Sequence, residues 1–280
     1  MTSVAALLCA TLGLACNEPS SSWDATRYGL VEAPSGRPTV QAAIDLVSKI
    51  LPDPPPLVVT AGWSSNRSDR AVPVHAVAAR GLGRNELVAI YSDCRCILVK
   101  SADLDRWLQE RVGSGSALLN VDERALLAYM FLHEIGHFVD GDAEGAMSSP
   151  ASGGVGSLNR DDTTQKGREA AADRYAASTL KAALRDGGAR GLSAGEVTMA
   201  LSNLSWNLAA HRLLDDFGAT SLGKPQAFWD MGYSHPNIEL RILTVNALVS
   251  GSDVAQKLLD DFRERRNQAP MILYRKQDGE

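Results

Sequence analysis

Residues 133–137 read His133-Glu134-Ile135-Gly136-His137. Histidines four apart lie on one face of a helix, one turn above the other, so both imidazoles can reach a single metal ion. Glu134 then projects to the neighbouring flank, beside the place where a water on that ion would sit. The chemistry such a set supports is hydrolysis, with the cation activating the water and the carboxylate taking its proton. A five-residue pattern also arises by chance, as a surface pair of histidines beside a solvated glutamate, so its surroundings decide whether it is a site.

The surroundings favour a buried helix. Leu126, Leu127, Met130, Phe131 and Ile135 carry helical apolar spacing and predict a helix running to about Asp140. Asn120, with Glu123 three residues later, predicts a capping-box start, and Gly141 suits the position just past the end. Catalytic zinc takes three protein ligands and keeps one position open. The metzincin pattern would place Gly and then His beyond His137, but those positions hold Asp140 and Ala143. His75, His211 and His235 remain as other histidines. A better third ligand is Glu169, on the next long predicted helix. Asp173, one turn further on the same face, can accept a hydrogen bond from the far nitrogen of a ligand histidine and fix its tautomer. Ala170, Ala171 and Ala172 between them would let two helices approach closely. The expected set is therefore one Zn2+ ion on His133, His137 and Glu169.

Three elements in order, the HEIGH helix, Glu169-x-x-x-Asp173, and Ser234-His235-Pro236 with Arg241 five residues after the proline, resemble a known family. It is the gluzincin-type zinc metallopeptidase family of HtpX-type heat-shock proteases, CAAX prenyl endopeptidases and BepA-type periplasmic proteases. The resemblance covers about residues 87–248. It implies a zincin-like fold and a zinc-dependent endopeptidase acting on unfolded or envelope proteins, with Glu134 as general base. It implies that His235 faces the cleft and donates to the oxyanion. It implies that Arg241 orients that loop by pairing with an acidic residue such as Asp173. The alternative within the family is a chaperone-like or latent protein-binding module that retains the zinc site. A structural zinc protein fits less well, because such a site has no use for Glu134 and usually draws on cysteines.

The formal net charge of -5, with no long basic block, argues against nucleic acid and leaves a polypeptide as the expected partner. No apolar run approaches the ~18 residues of a spanning helix. Residues 4–15 are small and apolar, and Ala15 precedes Cys16, as in a short bacterial lipoprotein signal, although the first residues lack Lys and Arg and Gly13 stands where leucine is usual. A signal peptide over 1–16, export to the periplasm and a lipid anchor at Cys16 are expected from it. Of the four cysteines, Cys94 and Cys96 remain, and two small semi-buried residues on a strand is the favoured reading over a metal pair or a strained ring.

The fold class expected is α+β, mainly helical, with a small antiparallel sheet before the active-site helix. Residues 17–56 read as a tether plus one helix over 40–51, stopped by the proline run at 52–56, and 57–280 as the metallopeptidase domain. Strands are expected at 57–60, 71–79, 87–91 and 96–99, with 96–100 as an edge strand that could pair with an extended substrate. Helices are expected at 103–112, 165–185 (ended by Gly187-Gly188), from a Ser193/Glu196 capping box to Phe217, after Pro236, and from about Ser252. The Gly/Ser-rich segment 141–163 reads as a lid or an insertion.

Overall fold

The computed structural model describes residues 29–54, 57–63, 71–79, 87–91, 96–100, 121–139, 163–214 and 238–264. They form an α+β arrangement that is mostly helical, with one small mixed sheet. The expected signal segment, the cysteines at 9, 16 and 94, the helix at 103–112, most of the segment 141–163 and His235 lie outside these residues.

Strand β1 (Leu30–Glu32) comes from the stretch read as a tether. A short 3-10 turn follows, and then α1 (Arg37–Ile50). Pro38 sits in the first turn of α1, where its missing N–H costs nothing. Val40, Ala43, Ile44, Val47 and Ile50 are spaced to face the core and are buried there. The chain turns extended at Leu51 as it enters the prolines.

Strands β2 (Leu57–Val59), β3 (Val72–Ala79), β4 (Val88–Tyr91) and β5 (Cys96–Val99) complete the sheet. Its order is β1-β3-β5-β4, with β2 also on β3. The expectation of a mainly antiparallel sheet is corrected here: β2 and β5 both run parallel to β3, and only the β1–β3 and β4–β5 pairs are antiparallel. Strand β5 is not an edge either. It lies between β3 and β4, and all four of its residues are buried. An unbroken apolar run is what a strand covered on both faces requires. Cys96 is fully buried and disulfide-bonded, with its partner outside the described residues. Among the described residues strand β4 ends the sheet, and it packs beside the helix that carries the histidines.

That helix is α2 (Glu123–Val139). Asp122 caps it, its Oδ1 accepting from the backbone N–H groups of Arg124 (3.0 Å) and Ala125 (3.4 Å). The Asn120/Glu123 capping box is thereby replaced, because Glu123 is the first helical residue and not the third. From Ala125 to Leu132 every residue is buried, the pattern of a helix enclosed on all sides. It packs on α1, on α3 (Thr163–Asp186) and on α4 (Gly188–Leu214).

Helices α3 and α4 form a tight hairpin. Gly187 (φ 69°) and Gly188 (φ 58°) adopt the left-handed conformation that reverses the chain between them. Helix α4 starts at once, so Ser193 is a buried residue inside it and not a cap, and Glu196 reaches out to Arg124 (3.2 Å). Helix α5 (Ile238–Ser250) packs on α3 and α4, and α6 (253–264) on α5 through Leu243, Leu258, Leu259 and Phe262. The backbone N–H of Val254 meets the Ser252 hydroxyl (3.2 Å), which caps α6. Apart from α6, which packs in a separate small cluster, one core joins α1, the sheet and α2 to α5. None of the helices among the described residues is long and apolar enough to cross a membrane.

Candidate metal centre

Helix α3 carries a buried stripe of Glu169, Ala172, Asp173, Ala176, Leu180 and Ala183. Their spacing is that of a core-facing helix, yet the first turn of the stripe bears two carboxylates. Burying ionised carboxylates is costly unless each is paired and hydrogen-bonded. The partners come from α2 and α5.

Helix α2 lies close enough for this because of Gly136. A Cβ built there would stand 2.9 Å from Ala172 Cα, 3.1 Å from the Ala172 carbonyl oxygen and 3.1 Å from Tyr175 Cβ. Two of those atoms are backbone, so no side-chain rotation relieves the clash. Gly136→Ala should therefore force the two helices apart. Overpacking of this kind costs about 1–3 kcal/mol. The same movement should weaken metal binding, since Ala172 lies between Glu169 and Asp173 on the displaced helix. Urea unfolding and metal titration of Gly136→Ala measure both; wild-type values for each would show that this close approach does not set the ligand spacing.

The polar groups converge at the crossing. His133 and His137 are exposed by only 3% and 2%, Glu169 by 2% and Asp173 by 4%. The Nε2 atoms of His133 and His137 are 3.0 Å apart, with the rings edge to face. His133 Nε2 is 3.2 Å from Glu169 Oε2, and His137 Nε2 is 3.5 Å from Glu169 Oε1. Three ligand atoms, one from each residue, thus gather around one point, and the group can hold a metal ion.

A second layer fixes His133. Its Nδ1 donates to Asp173 Oδ1 (2.9 Å), since an ionised carboxylate only accepts, and this aims Nε2 at Glu169 and His137. The hydroxyl of Tyr129, one turn earlier on α2, donates to the same Asp173 oxygen (3.0 Å). Tyr129 was not among the residues expected here. It stands four before His133 and eight before His137, on their face of α2, and that spacing was the available signal. Arg241 enters from α5. Its Nε and Nη2 lie 3.2 Å from the two oxygens of Asp173, and its Nη1 is 3.2 Å from Glu169 Oε2. Pairing of Arg241 with Asp173 was expected; its contact with Glu169 was not.

These contacts set the charges. Burial raises the Asp173 carboxyl, but the Arg241 and His133 charges and hydrogen bonds outweigh it and hold the group down at about 2. Glu169 is likewise pushed up by burial, yet Arg241 and the two histidines keep it well below the usual carboxylate range. For His133, burial and Arg241 favour the neutral ring, while the Asp173 and Glu169 carboxylates prevail and hold it at about 9 without a metal. Burial also raises Glu134, with the two histidines acting against that rise. Glu134 is half-buried and belongs to none of the ligand contacts, although it is adjacent to His133 in sequence.

Of the other histidines, His75 is buried on β3 against Thr60 Oγ1 (2.8 Å) and has no part in the cluster. His211 falls within α4, and His235 lies outside the described residues. Comparison with family models, with curated proteins and with solved structures gives no match to this chain, so the function of the centre rests on its own residues.

Proposed function

We propose that this chain is a zinc-dependent endopeptidase of the gluzincin kind, with a zincin-like fold, similar in its motifs to the HtpX-type, CAAX prenyl and BepA-type proteases. One observation carries the reading. The two imidazole Nε2 atoms stand 3.0 Å apart, His133 Nε2 is 3.2 Å from Glu169 Oε2, His137 Nε2 is 3.5 Å from Glu169 Oε1, and one ligand atom from each residue lies within 4.8 Å of the others. The edge of a tetrahedron with zinc bonds of ~2.0–2.1 Å is ~3.3 Å, and these contacts are of that size. Two imidazoles and a carboxylate are also the donor set of catalytic zinc in hydrolases, whereas structural zinc prefers four closed ligands.

Zinc held there supplies Lewis acidity, which lets water ionise near neutral pH and polarises a carbonyl. His133, His137 and Glu169 would hold it. Asp173 keeps His133 in the tautomer that presents Nε2, and Tyr129 steadies Asp173. Glu134 takes the proton of the attacking water and returns it to the leaving amine. His235, in the His-Pro element just before α5, is the assigned donor to the oxyanion. Strand β4, at the end of the sheet among the described residues and beside α2, is the strand we assign to pairing with an extended, unfolded substrate. The lipoprotein-like N-terminus and the disulfide at Cys96 support an exported, lipid-anchored location, since disulfides persist in oxidising compartments.

The test is direct. Purified chain is expected to carry one zinc per molecule and to cleave casein, with cleavage lost to a chelator and restored by zinc. Zinc-loaded protein that cleaves no polypeptide would leave a metal centre and remove the peptidase.

A further inference from the structure

The guanidinium of Arg241 is divided between two sets of partners. One is Asp173, met by Nε and Nη2 at 3.2 Å each. The other consists of metal-ligand atoms: Nη1 is 3.2 Å from Glu169 Oε2, and Nη2 is 2.7 Å from His133 Nε2. Nη2 is also 2.8 Å from His133 Nδ1, so the cation lies against the ring itself. We infer that Arg241 is a cation with which the metal must compete for Glu169, that its charge against the His133 ring opposes the metal's, and that metal uptake drives it back onto Asp173 alone.

Arginine stays charged at any working pH, so it cannot yield by losing a proton. A metal bonded to His133 Nε2 lies within about 5 Å of a guanidinium nitrogen that contacts the same atom. Two cations that close in a buried site repel strongly. Asp173 is no metal ligand, so the Arg241–Asp173 pair can survive loading while the other contacts are given up. A group that stabilises the metal-free form more than the loaded form weakens metal binding by that difference. Removing Arg241 should therefore tighten metal binding while destabilising the metal-free protein, where two buried carboxylates lose their cation. A residue that merely steadied Asp173 would give the opposite sign, since loosening the support of a ligand histidine weakens metal binding about 10–100-fold.

The inference rests on the metal-binding half of the proposed function and not on peptidase activity. Its test is zinc competition between the full chain and a chromophoric chelator, for wild type and Arg241→Gln, together with thermal unfolding with and without zinc. Arg241→Gln is expected to bind zinc about tenfold more tightly, within the usual range of coupling between sites. Its metal-free melting temperature should fall, and zinc should raise it by more than in wild type. Equal or weaker zinc binding overturns the inference. A variant that folds only when zinc is added supports it. Should Arg241→Gln fold under neither condition, Arg241→Lys decides, because a single ammonium cannot span Asp173, Glu169 and His133 at once. Tighter zinc binding by Arg241→Lys supports the competition, and wild-type affinity overturns it. Wild type that binds no zinc removes the metal centre and this inference together; wild type that binds zinc without cleaving casein leaves the inference standing.

Discussion

Glu134→Gln should keep a full complement of zinc and lose turnover on casein by about 10²–10⁴-fold, the usual contribution of a positioned general base. The substitution preserves shape and removes only the capacity to take a proton. Glu134 makes none of the contacts that bring the ligand atoms together, so the centre has no reason to change. Its neighbours His133 and His137 face Glu169, which leaves the Glu134 side chain, half-buried on the flank of α2, for the water. Metal content by mass spectrometry and initial rates of casein cleavage separate the two properties. Turnover at the wild-type rate would remove Glu134 from the mechanism, whatever the metal does.

What was legible in the sequence follows the range of the interactions. The histidine pair needs only the 3.6-residue period of a single helix and a buried run before it, and both are local. Helix α1 was legible for the same reason, with its apolar face ending in prolines that cannot continue a helix. The α3–α4 turn was legible because consecutive glycines can take the left-handed conformation at little cost. The start of α4 was not, because Ser193 and Glu196 have the right types for a capping box but the turn at Gly187 and Gly188 had already restarted the helix. The sheet order was not legible either. Parallel pairing of β3 with β2 and β5 depends on connections that no short strand records, and β1 has only three residues to announce itself. The unbroken apolar run Cys96–Val99 is itself the sign of an internal strand.

The site divides in the same way. Glu169 and Asp173 lie on a different helix from the histidines, and only the ligand count of zinc and their own four-residue spacing drew them in. Tyr129 is not legible as a site residue, because a tyrosine in an apolar helix reads as core and its hydroxyl partner comes from α3. The Gly136–Ala172 approach is invisible in either helix alone. Arg241 could be matched to Asp173 by charge, but its reach to Glu169 and the face of His133 depends on where α5 crosses α3.

Glu169→Ala should abolish stoichiometric zinc binding, because of the three proposed ligands it removes the one that α2 does not supply. The histidines alone offer two donors from adjacent turns, one short of what catalytic zinc holds. Asp173→Asn makes the instructive contrast. It leaves all three ligand atoms and should weaken binding by about 10–100-fold without abolishing it. The order of affinity expected is wild type, Asp173→Asn, then Glu169→Ala. Stability should follow loading, since a ligand that binds only the folded state adds about 4 kcal/mol at a free concentration a thousand times its Kd. The zinc-dependent rise in melting temperature should therefore be largest in wild type and vanish in Glu169→Ala. Loss of Glu169 also deprives Arg241 of one partner, but both Asp173 oxygens remain to it, so the metal-free variant is expected to fold. Dialysis against a weak chelator, followed by metal analysis and thermal unfolding, reads all three proteins on one scale. A Glu169→Ala chain that retains one zinc at wild-type affinity would mean that the two helices do not share a metal, and the carboxylates of α3 would then need another reason to be buried.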